Sequence, residues 1–245
     1  MIDLHAHILH GIDDGPETLE EAVEMCRLAA EDGIETIVAT PHQRHGFWPN
    51  TDRGALEALF EELRAATGGK PTLALGAEIR VDSELLHEVD ILPGGSLLPL
   101  AGSKYLLLEF VSVPIGPDPR PMLHELMVAG WRPILAHPER IPWLVDQPTL
   151  LGELVERGVL LQLTAGSVTG ELGRGPQACS FLLLDEGLAH FVASDAHDAH
   201  IRPPRLSEAF RAIAERWGEG RARELTEENP RAVLENRPLS RHNAG

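Results

Sequence analysis

The chain has 245 residues but only two cysteines, Cys26 and Cys179, one tyrosine, Tyr105, and 4% aromatic residues in all. Two cysteines make neither a disulfide framework nor a cysteine-type zinc site. Neither can head a Cys-x5-Arg nucleophile loop, because the positions that would need arginine hold Asp32 and Asp185. No run of about 18 apolar residues occurs, so no membrane insertion is expected. The start, Met1-Ile2-Asp3-Leu4-His5, lacks a basic segment leading into an apolar one. No signal peptide is therefore expected, and the location is expected to be cytoplasmic. Positive charge is also scarce: 21 Lys and Arg stand against 38 Asp and Glu, a net charge of −17. Such a field repels nucleic acid and anionic lipid, so no nucleic-acid partner is expected. It repels an anionic substrate as well, unless local cations reverse the sign. Hydrophobic residues at 43% and charged residues at 24% are the mix of an ordinary globule. The length suits one domain over residues 1–245.

Histidine is plentiful, with 12 residues. In an acidic, cysteine-poor chain this points to metal bound by nitrogen and oxygen ligands, provided the histidines converge. Strand-like and helix-like segments alternate. Strands are expected over residues 1–8, 34–40, 72–78, 104–110, 132–137, 159–165 and 188–195, from short β-branched or apolar runs. Helices are expected between them: after Pro16 and Thr18 with Glu21 closing a capping box, after Thr51, over 83–89, 119–129, 150–157, 176–186 and 204–217, and after Asn229-Pro230. Seven strand–helix units imply a parallel sheet. No glycine-rich nucleotide loop follows any strand, which disfavours an open doubly wound sheet. The polar residues gather at one end of nearly every strand, so a closed α/β barrel is expected.

In such a barrel the chemistry sits at the C-terminal strand ends. Strand one delivers His5 and His7, on one face at period two. Strand two ends in Thr40-Pro41-His42, strand three in Glu78 and strand four in Glu109. Strand five ends in His137-Pro138-Glu139-Arg140 and strand seven in Ser194-Asp195-Ala196-His197. Strand six offers only Thr164. Each residue alone has an ordinary structural reading, as a loop histidine or a salt-bridged carboxylate. Together, five histidines, two glutamates and an aspartate at one mouth exceed what one tetrahedral site uses. They suggest two or three divalent ions with a bridging glutamate, an arrangement suited to phosphoryl transfer. In the loop His10-Gly11-Ile12-Asp13-Asp14-Gly15, either aspartate can reach a metal, or the loop is simply an Asx-type turn.

These stretches resemble the PHP (polymerase and histidinol phosphatase) superfamily. They resemble most the manganese-dependent protein-tyrosine phosphatases of bacterial capsule and exopolysaccharide operons, the CpsB/YwqE-type group. The carrying segments are Ile2-Asp3-Leu4-His5-Ala6-His7, Gly11-Ile12-Asp13-Asp14-Gly15-Pro16, Ala39-Thr40-Pro41-His42, Gly76-Ala77-Glu78, Leu108-Glu109-Phe110, Ala136-His137-Pro138-Glu139-Arg140 and Ala193-Ser194-Asp195-Ala196-His197. The resemblance implies a distorted (β/α)7 barrel and three metals. One metal would take His5, His7, Glu78 and Asp195; a second Glu78, Glu109 and His137; a third Asp14, His42 and His197. Manganese is implied, with iron or zinc as the alternatives.

Arg140 resembles the family's phosphate-binding arginine. Arg44, His45, Arg202 and Arg205 are further candidates for substrate contact, and His42 and His197 for protonating a leaving group. His10 stands where the family has proline, with a solvent position expected. The implied activity is hydrolysis of phosphotyrosine in protein, with a bacterial tyrosine kinase as partner. Tyr105 being the only tyrosine, the chain has little of its own to phosphorylate. Three other readings remain open: a histidinol-phosphate-type phosphatase, a kinase-binding regulatory module with secondary hydrolysis, and an amidohydrolase-type sugar-processing enzyme. The last would want a strand-end lysine, and none is present.

Overall fold

The computed structural model describes residues 1–82, 85, 95–111 and 118–239. Nine strand segments run parallel: β1 (Ile2–Ala6), β2 (Thr36–Ala39), β3 (His42–Gln43), β4 (Thr72–Leu75), β5 (Glu78–Arg80), β6 (Tyr105–Glu109), β7 (Arg132–Ala136), β8 (Leu160–Thr164) and β9 (Phe191–Ala193). The expected second and third strands are each bent into two. Their first halves pair as β1-β2-β4 and their second halves open the sheet β3-β5-β6-β7-β8-β9. Pro41, which cannot donate to a ladder, stands at the first bend. Gly76 stands at the second, where a Cβ would come within 2.9 Å of a Leu100 side-chain carbon and 3.0 Å of its Cα.

The barrel closes between β9 and β1. Asp195 N donates to His5 O and His7 N to Ala196 O, each at 2.8 Å. The fully buried Asp3 secures this seam, accepting from Ser194 Oγ at 2.5 Å and Ser194 N at 3.0 Å. Counting each bent strand once, the seven staves form a distorted (β/α)7 barrel.

Helices cover the outside: Leu19–Glu31, Arg53–Ala66, Arg120–Val128, Pro148–Glu156, Arg174–Asp185 and Ser207–Trp217. Thr18 Oγ1 caps the first by accepting from Glu21 N at 3.2 Å, and the Glu21 carboxylate accepts from Glu17 N at 3.1 Å. Asp32, at the end of that helix, accepts from Leu206 N, Ser207 N and Ser207 Oγ. It thereby starts the helix Ser207–Trp217 three residues later than Pro204 suggests. A short helix Ala165–Thr169, unforeseen from the sequence, follows β8 directly. The helix expected over 83–89 lies outside the described residues except for Leu85. The C-terminal helix Asn229–Leu234 forms as expected.

One buried cluster joins Val38, Leu107, Ile134 and Phe191 of the strands to Val233 of the terminal helix; a larger one packs strands against the outer helices. Period two then carries the chain from apolar floor to polar rim: Leu107 leads to Glu109, and Phe191 leads to Asp195.

Candidate metal centre

Glu78 is the hub of the rim. It is 1% exposed, and both carboxylate oxygens face histidines. Oε1 lies 2.9 Å from His137 Nε2 and 3.4 Å from His5 Nε2. Oε2 lies 2.9 Å from His42 Nδ1 and 3.4 Å from His7 Nε2. The Nε2 atoms of His5 and His7 are 3.2 Å apart, and Asp195 Oδ1 stands 3.4 Å from the first and 3.7 Å from the second. On the solvent side, Asp14 Oδ1 lies 3.3 Å from His42 Nε2 and 3.4 Å from His197 Nε2. Glu109 Oε2 lies 4.0 Å from His42 Nδ1. All nine residues expected as ligands therefore meet at one mouth.

Their possible ligand atoms fall into four overlapping groups: His7, Asp14, His42 and His197; His5, His137 and Asp195; His5, His7 and Glu78; and His42, Glu78 and Glu109. The grouping overlaps the implied three sets but redistributes three members. His7 also sits with the outer group, His42 rather than His137 stands with Glu78 and Glu109, and His137 joins His5 and Asp195. The central position of Glu78 is the reason, since four rings share one carboxylate.

Three histidines have Nδ1 tied to the protein, which leaves Nε2 bare toward the centre. His5 Nδ1 donates to Gln162 Oε1 at 2.8 Å, while Gln162 Nε2 donates to Leu163 O at 2.8 Å and so fixes the amide's orientation. His7 Nδ1 donates to Asp13 Oδ2 at 2.9 Å, and His197 Nδ1 to Asp195 O at 2.9 Å. Such partners set the tautomer and ring angle that a metal ligand needs.

The local sequence treats Asp13 and Asp14 alike; the fold separates them. Asp13 also accepts from His42 N at 3.1 Å and Gly15 N at 2.9 Å, and Asp14 faces the rings. Gly15 is required there, because a Cβ would lie 2.7 Å from His7 O. His137 and Asp195 both adopt left-handed backbone, with φ of 34° and 54°. Each costs on the order of 1 kcal/mol or more, a strain common where strand ends aim functional groups.

The electrostatics follow from packing. Burial opposes charge on Glu78, but His5, His137 and His42 hold its pKa well below the carboxylate range. Burial likewise opposes charge on His42, yet Asp14 and Glu78 raise it to about 9. His7 is raised by Asp13 and Glu78 against burial, and His137 by Glu78 and Asp195 against burial. His197 is lowered by burial and by His7. Glu109 is raised by burial and by the charge of Glu78.

The residues fit a cation-binding role on a separate ground. Glu109 Oε2 and His137 Nδ1 are buried and make no hydrogen bond. Buried polar atoms left this way are costly, and a divalent ion satisfies a nitrogen and a carboxylate together.

The expected cations are placed unequally. Arg140 Nη1 pairs with Asp195 Oδ2, and Arg202 Nη2 donates to the same oxygen at 2.7 Å and to Asp195 O at 2.9 Å. Arg44, by contrast, turns its guanidinium to Asp82 at 2.6 and 2.7 Å and is largely buried, so it does not face the mouth. Arg205 is exposed and lines a groove with Glu171, Ile201 and Arg202. His45 stacks over His42 with centroids 5.1 Å apart. His10 lies 3.8 Å from Glu62, away from the rings above.

Sequence reading missed Gln162, Arg80 and Trp48. Gln162 is a fully buried polar residue in an otherwise apolar strand, which by itself signals a partner. Arg80 and Arg140 flank a cavity of about 170 Å³ over Glu109 and His137. The Arg80 side chain makes no ion pair or hydrogen bond among the described residues. Larger cavities lie elsewhere, beside Trp131 and around His190, and hold none of the nine clustered residues.

Comparison with known proteins agrees with this geometry. The family model described as "Capsular polysaccharide synthesis, CpsB/CapC" matches residues 1–235. The tyrosine-protein phosphatase YwqE of Bacillus subtilis (strain 168) is 36% identical over 243 residues, covering 98% of this chain and 94% of that one. The tyrosine-protein phosphatase CpsB of Streptococcus agalactiae serotype V is 30% identical over 251 residues, covering 96% and 99%. A crystal structure from work on YwqE of Bacillus subtilis and CpsB of Streptococcus pneumoniae, described as unique metal-dependent tyrosine phosphatases, superposes with a TM-score of 0.90. Its identity is 35%, with 99% of this chain and 97% of that one covered.

Proposed function

The chain belongs to the CpsB/CapC family of capsular polysaccharide synthesis proteins, and on that footing we propose that it is a metal-dependent protein-tyrosine phosphatase. The observation that most supports this reading is Glu78, one buried carboxylate with each oxygen turned to two histidines, as a bridging ligand between two cations would be. When bound, two or three divalent ions supply Lewis-acid charge at the phosphoryl oxygens and acidify the attacking water. His5, His7, Glu78 and Asp195 would hold one ion, Glu78, Glu109 and His137 a second, and Asp14, His42 and His197 a third. Manganese is the expected ion, and iron and zinc suit the same donors.

The protein's own groups do the rest. Gln162 and Asp13 hold His5 and His7 with Nε2 inward. Arg140 and Arg202 stand beside Asp195 and bring forked positive charge to the phosphate, offsetting the chain's −17 at the one place where an anion must enter. His197 Nδ1 is committed to Asp195 O, and the Nε2 atoms of His197 and His42 both face Asp14 as ligand atoms, so with an ion bound these two rings would hold it rather than return a proton to the leaving oxygen. A phenolate needs that help less than an alkoxide does.

The protein acts as a single domain in the cytoplasm on a phosphorylated protein, with a bacterial tyrosine kinase of capsule or exopolysaccharide synthesis as partner. Among the described residues no helix is long and apolar enough to cross a membrane. Metal analysis of chelator-free protein, with paired assays on a phosphotyrosine peptide and histidinol phosphate, tests the reading. Full metal content with no hydrolysis of the peptide overturns it, and preference for histidinol phosphate moves it to the small-molecule class.

A further inference from the structure

We propose that His45, Phe47 and Trp48 form an aromatic wall beside the metal centre that selects phosphate esters of aromatic alcohols over those of aliphatic ones. The proposal rests on the phosphatase reading and names what would restrict it to an aryl substrate.

Aromatic side chains are rare in this chain, yet two adjoin on the six-residue turn between Arg44 and Pro49. The rings of His42, His45 and Trp48 lie with centroids 4.7, 5.1 and 5.5 Å apart and planes within 26° of one another. Phe47 adds a ring 6.1 Å from Trp48 at 62°, and 84% of it is exposed. The series thus runs from a buried ring that faces Glu78, through two partly exposed rings, to an exposed one.

The turn that carries it is tied at its neck. Arg44 N donates to Pro49 O at 2.9 Å, and Gln43 Nε2 to Asn50 O at 2.9 Å. Asn50 Nδ2 donates to His42 O at 2.8 Å and to Ile12 O at 3.0 Å. Arg44, left-handed at φ 61°, is held by Asp82. Phe47 N donates to His45 Nδ1 at 3.3 Å, which requires a neutral imidazole there. The rings are therefore pre-ordered, and a ligand ring that packs on them spends little conformational freedom.

The chemistry of the ester completes the argument. In an aryl phosphate the ring is one ester oxygen from phosphorus. With phosphorus at the carboxylate–histidine cluster, the ring arrives level with the rings above His42. Aromatic pairs in offset or tilted geometry gain beyond simple area burial, and an alkyl chain has no π face to offer. A structural alternative is that Trp48 only props His42, a ligand of the metal cluster.

The experiment separates the two with the metal-loaded protein. Turnover is measured on peptides of one sequence carrying phosphotyrosine or phosphoserine, and on phenyl and propyl phosphate, for wild type, Trp48→Ala and Trp48→Phe, with metal content determined for each. The expected result is a fall in the aryl-to-alkyl ratio of kcat/KM of roughly tenfold in Trp48→Ala, mostly in KM, and recovery of most of it in Trp48→Phe. Metal content should match wild type in both variants. An unchanged ratio overturns the proposal, whether both esters hold their rates or both fall together with metal loss. Wild-type protein that is fully metal-loaded and hydrolyses neither ester overturns the phosphatase reading instead, and the wall's role in it.

Discussion

Gln162 and His5, 157 positions apart in the chain, meet across the barrel at 2.8 Å, Oε1 accepting from Nδ1. Neither residue is exposed. The bond decides which ring nitrogen of His5 faces Glu78 and Asp195. Gln162→Leu removes the acceptor and leaves the ring free to turn or change tautomer. Metal affinity should fall by roughly 10- to 100-fold, the usual effect of losing such an orienting partner. Gln162→Glu, which keeps an acceptor, should recover part of it. Calorimetric metal titration gives the answer, and equal affinity in Gln162→Leu would show that the bond has no bearing on the site.

Glu78→Gln keeps volume and removes charge from the residue that four histidines face. Two effects should appear together. Metal content should fall at more than one position, and activity should fall by orders of magnitude. Elemental analysis of the purified variant alongside turnover checks both. Near-normal turnover at full metal content would remove Glu78 from the bridging position.

Arg140 and Arg202 share Asp195 Oδ2, so each can turn to an entering phosphate while the other keeps Asp195 company. Arg140→Ala should leave metal content and Tm close to wild type, since Arg202 still pairs with the buried Asp195 Oδ2 at 2.7 Å. It should lower kcat/KM about 10²-fold, equivalent to about 3 kcal/mol of transition-state stabilisation. Arg202→Ala should act in the same direction. His137→Ala, in contrast, should lose metal and activity together. Wild-type kinetics in Arg140→Ala would pass the clamp to Arg80, across the small cavity.

His190 provides a pH signature remote from the metal centre. Leu161 N donates to its Nδ1 at 3.1 Å, and burial, with Arg221 nearby, lowers its pKa to about 4. The unfolded chain takes this proton near pH 6.5, whereas the folded chain resists until about 4. Between those values the unfolded state binds more protons, so the contribution is complete above about pH 6.5 and is lost as pH falls toward 4. The loss is on the order of 3 kcal/mol at most. His190→Asn keeps an acceptor for Leu161 N without a titrating group. Its stability relative to wild type should therefore rise between pH 6.5 and 4.5 in urea unfolding. A constant difference across that range would count against the argument.

The sequence alone carried the residue types, the alternation and the order of the strand ends. Those sufficed to bring eight side chains to one barrel mouth, because a parallel barrel sends every C-terminal strand end to the same face. Period two was enough to pair an apolar floor residue with a polar rim residue on the same strand, as in Leu107 and Glu109. What the tertiary structure alone decided are the pairings. Asp13 and Asp14 are indistinguishable in the local sequence, and only the approach of His7, His42 and His197 assigns one to a ring Nδ1 and the other to ring Nε2 atoms. Arg44 reads as a mouth residue until Asp82, 38 positions on, claims it. The bends at Pro41 and Gly76, and the match of Gln162 to His5, likewise depend on neighbours far along the chain. Hydrogen bonds and ion pairs act over a few ångströms, so a distant partner leaves no periodic trace in the sequence for local reading to find.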